Sequence, residues 1–186
     1  VRMIPQAMEA MPVHATRLMW LLVKMLHDSN EQTRGTAVRA IPQAMETMPV
    51  HAKLLMLQLI RLHGDNNHDV REAVVRAIPQ AMKILPKHAR LLVQQLVKSL
   101  ENNYCLEAVV EAIRTVVELP SVQVRDELIC KLIQISSCNK QVIKRKTQAA
   151  LGFFPTEELL RIYWEKHDVR IKLIPIIAKH ALHKSV

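Results

Sequence analysis

Val1-Arg2-Met3-Ile4-Pro5-Gln6-Ala7-Met8 returns as Val38-Arg39-Ala40-Ile41-Pro42-Gln43-Ala44-Met45, and again as Val75-Arg76-Ala77-Ile78-Pro79-Gln80-Ala81-Met82. The period is 37 residues, and the first pair, extended to 1–15 and 38–52, is identical at 13 of 15 positions. A weaker copy follows at Val110-Glu111-Ala112-Ile113. A second marker keeps the phase: Pro12, Pro49, Pro86, Pro120 and Pro155 are spaced 37, 37, 34 and 35 residues apart. A fixed period of this length marks a repeat architecture.

Each unit reads as two helices. Helix A is expected to start at the marker proline, where the missing N–H is not needed. Its apolar positions are Ala15, Leu18, Met19, Leu22 and Val23 in one unit. They return as Ala52, Leu55, Met56, Leu59 and Ile60, then as Ala89, Leu92, Val93, Leu96 and Val97. The spacing i, i+3, i+4, i+7, i+8 is one face of a helix. Polar turns at Asp28-Ser29-Asn30 and Gly64-Asp65-Asn66-Asn67 close helix A. Helix B follows, with Ala37, Ile41, Ala44, Met45 and Met48 on one stripe and Val74, Ile78, Ala81, Met82 and Leu85 on the next. A lone pair cannot bury such faces, whereas stacked pairs can. The expected fold is therefore all-α, an α-solenoid of stacked antiparallel helix pairs. The units run over approximately 1–11 (partial), 12–48, 49–85, 86–119, 120–154 and 155–186. The chain starts inside a repeat without an initiator Met, so it reads as a piece of a longer protein. Pro5, Pro42, Pro79 and Pro175 fall inside helix B, where proline costs about 3 kcal/mol; a kink and a break into two short helices both fit.

The Asp65, Val70 and Arg71 triplet carries a family resemblance. The chain resembles HEAT repeats, which place an Asp in the A–B turn and Val-Arg five and six residues later. Asp28 and Arg34 match with Thr33 between them, and Val169-Arg170 match with Trp164 in the Asp place. The third unit has Asn102 there and lacks the Arg. Armadillo repeats are the near alternative, since a split helix B would give three helices per unit. The resemblance implies a right-handed α-solenoid, a scaffold, adaptor or transport-receptor role, and a helix B that lines a concave surface.

Composition narrows the function. The chain has 186 residues, 3 Gly and 6 aromatics (Trp 2, Tyr 2, Phe 2), too few for a Gly-rich phosphate loop or a series of base-stacking platforms. Metalloprotease, hydrolase and P-loop motifs are absent, and no enzymatic activity, cofactor or metal is expected. The ladder His14, His51 and His88 is spread over stacked helices about 10 Å apart, too far for metal bonds of about 2 Å. His180 and His183, at i and i+3, form a weak chelating pair at most. Three cysteines, Cys105, Cys130 and Cys138, without a CxxC, suit buried thiols in a reducing compartment. An intracellular location, cytoplasm or nucleus, is expected, and no run of about 18 apolar residues exists to span a membrane.

Charge supplies the candidate sites. Net charge is +9, with 26 Lys+Arg against 17 Asp+Glu. Arg2, Arg39 and Arg76 recur off the apolar stripe, with Gln6, Gln43 and Gln80 four residues on and Glu9, Glu46 and Lys83 three further. This row would face a partner along the concave helix-B surface. It inverts in the fourth unit, to Glu111, Thr115 and Glu118. Lys140, Lys144, Arg145 and Lys146 form a separate basic patch. Lys24, Arg61 and Lys98 form a ladder on the outer face of helix A. The expected partner is another protein, through an acidic or peptide-like segment. Nucleic acid, bound through its phosphate backbone, is the alternative. HEAT-like DNA glycosylases also share helical pairs and basic charge, but need a concave cluster of Trp and Asp. Exposed solenoid ends would favour self-association.

Overall fold

The computed structural model describes residues 3–136, 140–166 and 170–183, and in that range the chain is all helical with no strand. It divides into two compact units, Val1–Gln95 and Leu96–Val186, each described by itself.

The first unit holds α1 (Ile4–Ala10), α2 (Pro12–Met25), α3 (Glu31–Thr47), α4 (Ala52–Leu62) and α5 (His68–Ile84). The following helix, α6 (Ala89–Glu101), contains the boundary between the units. Helix α3 packs between α1 and α5. Helix α2 lies against α1 and α3, and α4 lies against α3 and α5. Both α3 and α5 have 17 residues, and α5 begins 37 residues after α3. The apolar stripes explain the packing. Ala37, Ile41, Ala44 and Met45 of α3 are fully buried, as are Ala52, Leu55, Met56 and Leu59 of α4.

The starts of α3 and α5 are written in short polar side chains. Asn30 accepts from the amides of Gln32 (2.8 Å) and Thr33 (3.3 Å). Asn67 does the same for Asp69 (2.8 Å) and Val70 (3.2 Å). Each satisfies two amides that have no partner within the helix. Asn30→Ala and Asn67→Ala are each expected to cost about 1 kcal/mol of stability in chemical denaturation.

One open alternative is decided and two local expectations change. Pro42, Pro79 and Pro175 do not divide their helices: α3 runs through Pro42, α5 through Pro79 and α11 (Arg170–His183) through Pro175. Pro5 is not interior but lies in the first turn of α1, where its missing N–H is not needed. A proline removes one backbone hydrogen bond, while the residues on both sides of Pro42 stay packed: Val38, Ile41, Ala44 and Met45 are fully buried. Helix A starts at the marker proline in α2, but Pro49–His51 and Pro86–His88 form 3₁₀ turns that precede α4 and α6. Met48 (φ −129°, ψ 73°) and Leu85 (φ −122°, ψ 64°) leave the helical region just before each proline, as a residue preceding proline tends to do.

The second unit contains α7 (Leu106–Val117), α8 (Val122–Ser136), α9 (Gln141–Leu151), α10 (Thr156–Glu165) and α11. Helix α9 packs against α7 and α8, and α10 packs against α8 and α11. Ile113, Leu128, Leu132, Leu151, Phe154 and Leu159 form its core. Two residues before α7 adopt positive φ, Asn103 (59°) and Cys105 (47°). Cys105 and Cys130 are half-buried rather than fully buried, because one sits in that turn and the other on the flank of α8; Cys138 lies outside the described residues.

Candidate partner-binding surface

The burial pattern of α3 fixes which side chains of helix B reach solvent. With Ala37, Ile41 and Met45 inward, Arg39 and Gln43 are exposed. On α5, Val74, Ile78 and Met82 are inward, and Arg76 and Lys83 are exposed while Gln80 is half-buried. Gln6 is exposed on α1, and Arg2 lies outside the described residues.

The two rows meet. Gln80 Nε2 of α5 donates to Glu46 Oε1 of α3 at 2.5 Å. Arg76 donates through Nε and a terminal nitrogen to Glu72 Oε1, one turn earlier, at 2.9 and 2.7 Å. The surface is therefore a mixed polar strip with carboxylates beside its cations, and Arg39 and Lys83 carry charge at its exposed positions.

The register of the strip is held from the other end of the helices. Arg34 Nε and a terminal nitrogen grip both oxygens of Asp65 at 2.8 and 2.9 Å. The remaining terminal nitrogen of Arg34 reaches the carbonyls of Asp28 and Ser29, each at 2.9 Å. Arg71 repeats that second contact 37 residues on, to the carbonyls of Asp65 (2.7 Å) and Asn66 (2.9 Å). Bidentate pairs of this kind fix orientation as well as distance. Burial would raise the Asp65 pKa, but hydrogen bonds from Arg34 and the Asn67 amide, with the charges of Arg34 and Arg71, hold it below the usual carboxylate range. The Asp65 hydrogen bond likewise raises the Arg34 guanidinium. The sequence marked these residues by their period, and the link between successive units appears only in the fold.

The basic patch is not one surface. Lys140, Lys144 and Arg145 are exposed, but Lys146 turns to α7 and pairs with Glu107. Arg145 has a relation to the Arg row that the sequence reading missed. Ile143, Thr147, Ala150 and Leu151 are buried on α9 in the spacing of Ala37, Ile41, Ala44 and Met45 on α3. Counting from those anchors, Arg145 takes the position of Arg39 and, through Val74, Ile78, Ala81 and Met82, of Arg76. The burial register of α7 puts Glu111 there, and Glu111 is exposed. Paired charges between α8 and α10 were also not foreseen: Arg125 with Glu158 at 2.9 Å, and Arg161 with Asp126.

Among the described residues no group of three or more His, Cys, Asp or Glu side chains converges as metal ligands would. His14 is exposed, and His51 and His88 are half-buried at the ends of the 3₁₀ turns. The side chains of His180 and His183 lie outside the described set. No helix among the described residues is long and apolar enough to cross a membrane.

No family model matches the chain, and no curated protein matches it. Among solved structures it is similar to the crystal structure of an engineered protein from the Northeast Structural Genomics Consortium. The identity is 16%, over 86% of this chain and 78% of that one, with a TM-score of 0.49.

Proposed function

We propose that the chain is a HEAT-like, right-handed α-solenoid with a period of about 37 residues, acting as a non-catalytic protein-interaction scaffold. Its partner, an acidic or peptide-like protein segment, lies along the helix-B surface. The observation that carries this reading is the Gln80–Glu46 hydrogen bond, which joins the exposed rows of α3 and α5 into one polar strip. A strip with amides, cations and carboxylates offers both donors and acceptors to a peptide main chain and paired positions for acidic side chains. An intracellular setting belongs to this reading, since three cysteines without a CxxC spacing suit a reducing compartment.

The test is capture from cell extract with the wild-type chain and an Arg39/Arg76/Lys83→Glu variant, with and without nuclease, each captured protein then being titrated in purified form. The expected result is a protein that survives nuclease and binds the variant roughly tenfold or more weakly, about 1.4 kcal/mol. Equal affinity for both forms would remove helix B as the site. Recovery of nucleic acid alone, lost steeply with added salt, would favour phosphate binding by the basic chain.

A further inference from the structure

The outward stripe of helix A has a composition unlike the helix-B strip. Stretches 10–27 and 47–64, which contain α2 and α4, have no Asp or Glu. Helix α2 packs against α1 and α3, and α4 against α3 and α5, and each leaves a stripe of exposed side chains away from its buried residues. On α2 that stripe is Val13, Arg17, Trp20 and Lys24, spaced i, i+4, i+7 and i+11. In the 37-residue register Val13, Trp20 and Lys24 return as Val50, Leu57 and Arg61; Arg17 falls on the half-buried Leu54, and the exposed Lys53, one residue earlier, supplies the cation on that side of α4. All four cations are exposed. Val13 and Val50 are each 90% exposed and Trp20 is 56% exposed, with Leu57 also on the surface. Arg90 and Leu91 are also exposed at the start of α6, although Lys87 and Gln94 stand where α4 and its preceding turn have Val50 and Leu57.

We infer that this helix-A face docks on an anionic phospholipid bilayer, independently of the partner surface on helix B. The chemistry is that of an interfacial anchor: large apolar groups enter the headgroup boundary while long cationic stems keep their charges among lipid phosphates. Trp is the side chain best suited to that boundary, with an apolar ring and one N–H donor. The absence of carboxylates matters as much as the cations, since a single acid would repel the surface that the others attract. An open, shallow depression along α2 is lined by Met11, His14, Arg17, Leu18, Trp20, Leu21 and Lys24, so apolar groups and two cations share one stretch of surface. Duplex nucleic acid fits the cations but leaves exposed Val, Trp and Leu against phosphates.

The test is co-sedimentation of the full 186-residue chain with vesicles of phosphatidylcholine alone or mixed with phosphatidylserine, together with the emission of Trp20 in a Trp164→Phe background. Binding is expected only with phosphatidylserine, accompanied by a blue shift of Trp20. Arg17/Lys24/Lys53/Arg61→Glu should abolish it, at about fivefold per cation from the surface potential alone. Trp20→Ser should weaken binding without removing its charge dependence. The Arg39/Arg76/Lys83→Glu variant should bind vesicles as the wild type does. Circular dichroism and melting temperature check that each variant folds; if the fourfold reversal does not, the Arg17/Lys24→Gln pair carries the test. No binding to phosphatidylserine vesicles, binding indifferent to these cations, or a Trp20 emission that does not move would overturn the proposal. Binding of duplex DNA or an acidic protein that depends on the same cations, without vesicle binding, would assign the face to that partner instead.

Discussion

Asp65→Ala is expected to cost about 3 kcal/mol, the lower end of what removing one partner of a buried ion pair costs. The side chain of Asp65 is 8% exposed and that of Arg34 16%, so water screens the pair poorly. The substitution strips the bidentate contact from Arg34 and removes the acceptor of the Asn67 amide. Arg34 would still hold the Asp28 and Ser29 carbonyls, which keeps the loss from reaching the upper end of the range. The same pair gives a pH signature. The folded pKa of Asp65 is depressed, so its contribution is complete above the unfolded value, near 4, and is lost as pH falls through the lower folded value. Urea denaturation from pH 7 down to pH 2 should show stability falling below about pH 4 in the wild type. Asp65→Asn should lie below the wild type at neutral pH and converge toward it in acid. Parallel curves would mean that the Arg34 contact contributes nothing.

Leu59→Ala and Ile41→Ala are expected to cost about 2–5 kcal/mol each. Both side chains are fully buried, Leu59 on α4 and Ile41 on α3. Truncation loses the transfer free energy of the removed methyl groups and leaves a cavity that helices on several sides cannot collapse. Helix α3 touches α1, α2, α4 and α5, so Ile41 should lie in the upper part of the range. Leu57→Ala, on the exposed stripe of α4, is the control and should stay within about 0.5 kcal/mol. A cost below that value at Leu59 would mean that α4 does not pack through the face containing Ala52, Leu55 and Met56.

Much of this architecture was legible in the residues. Most of the apolar positions at i, i+3, i+4, i+7 and i+8 are buried, because a helix of 3.6 residues per turn brings them to one face. Leu18, Val23 and Ile60 on helix A and Met48 and Leu85 at the ends of helix B are only half-buried, at the edges of their stripes. The polar turns hold the N-caps, because only a short side-chain oxygen reaches back to the first free amides. The exposure of Arg39, Gln43, Arg76 and Lys83 followed from the same periodicity. The helix-B prolines were not decided locally. One lost hydrogen bond and one steric clash predict a fault, but whether the helix ends there depends on the neighbours holding its two halves.

The sequence by itself determined the all-helical class and most of the buried stripes along its helices. These depend on contacts within a few residues, where backbone geometry alone relates one position to the next. The tertiary structure decided which charges meet. Gln80 and Glu46 are 34 residues apart, Arg34 and Asp65 31, and Lys146 and Glu107 39. Such pairs depend on how far one helix slides along another, and packed apolar side chains set that offset to within a side chain's reach. Lys140, Lys144, Arg145 and Lys146 read as one basic cluster along the chain, while packing against α7 takes Lys146 into an ion pair and leaves Lys144 and Arg145 exposed.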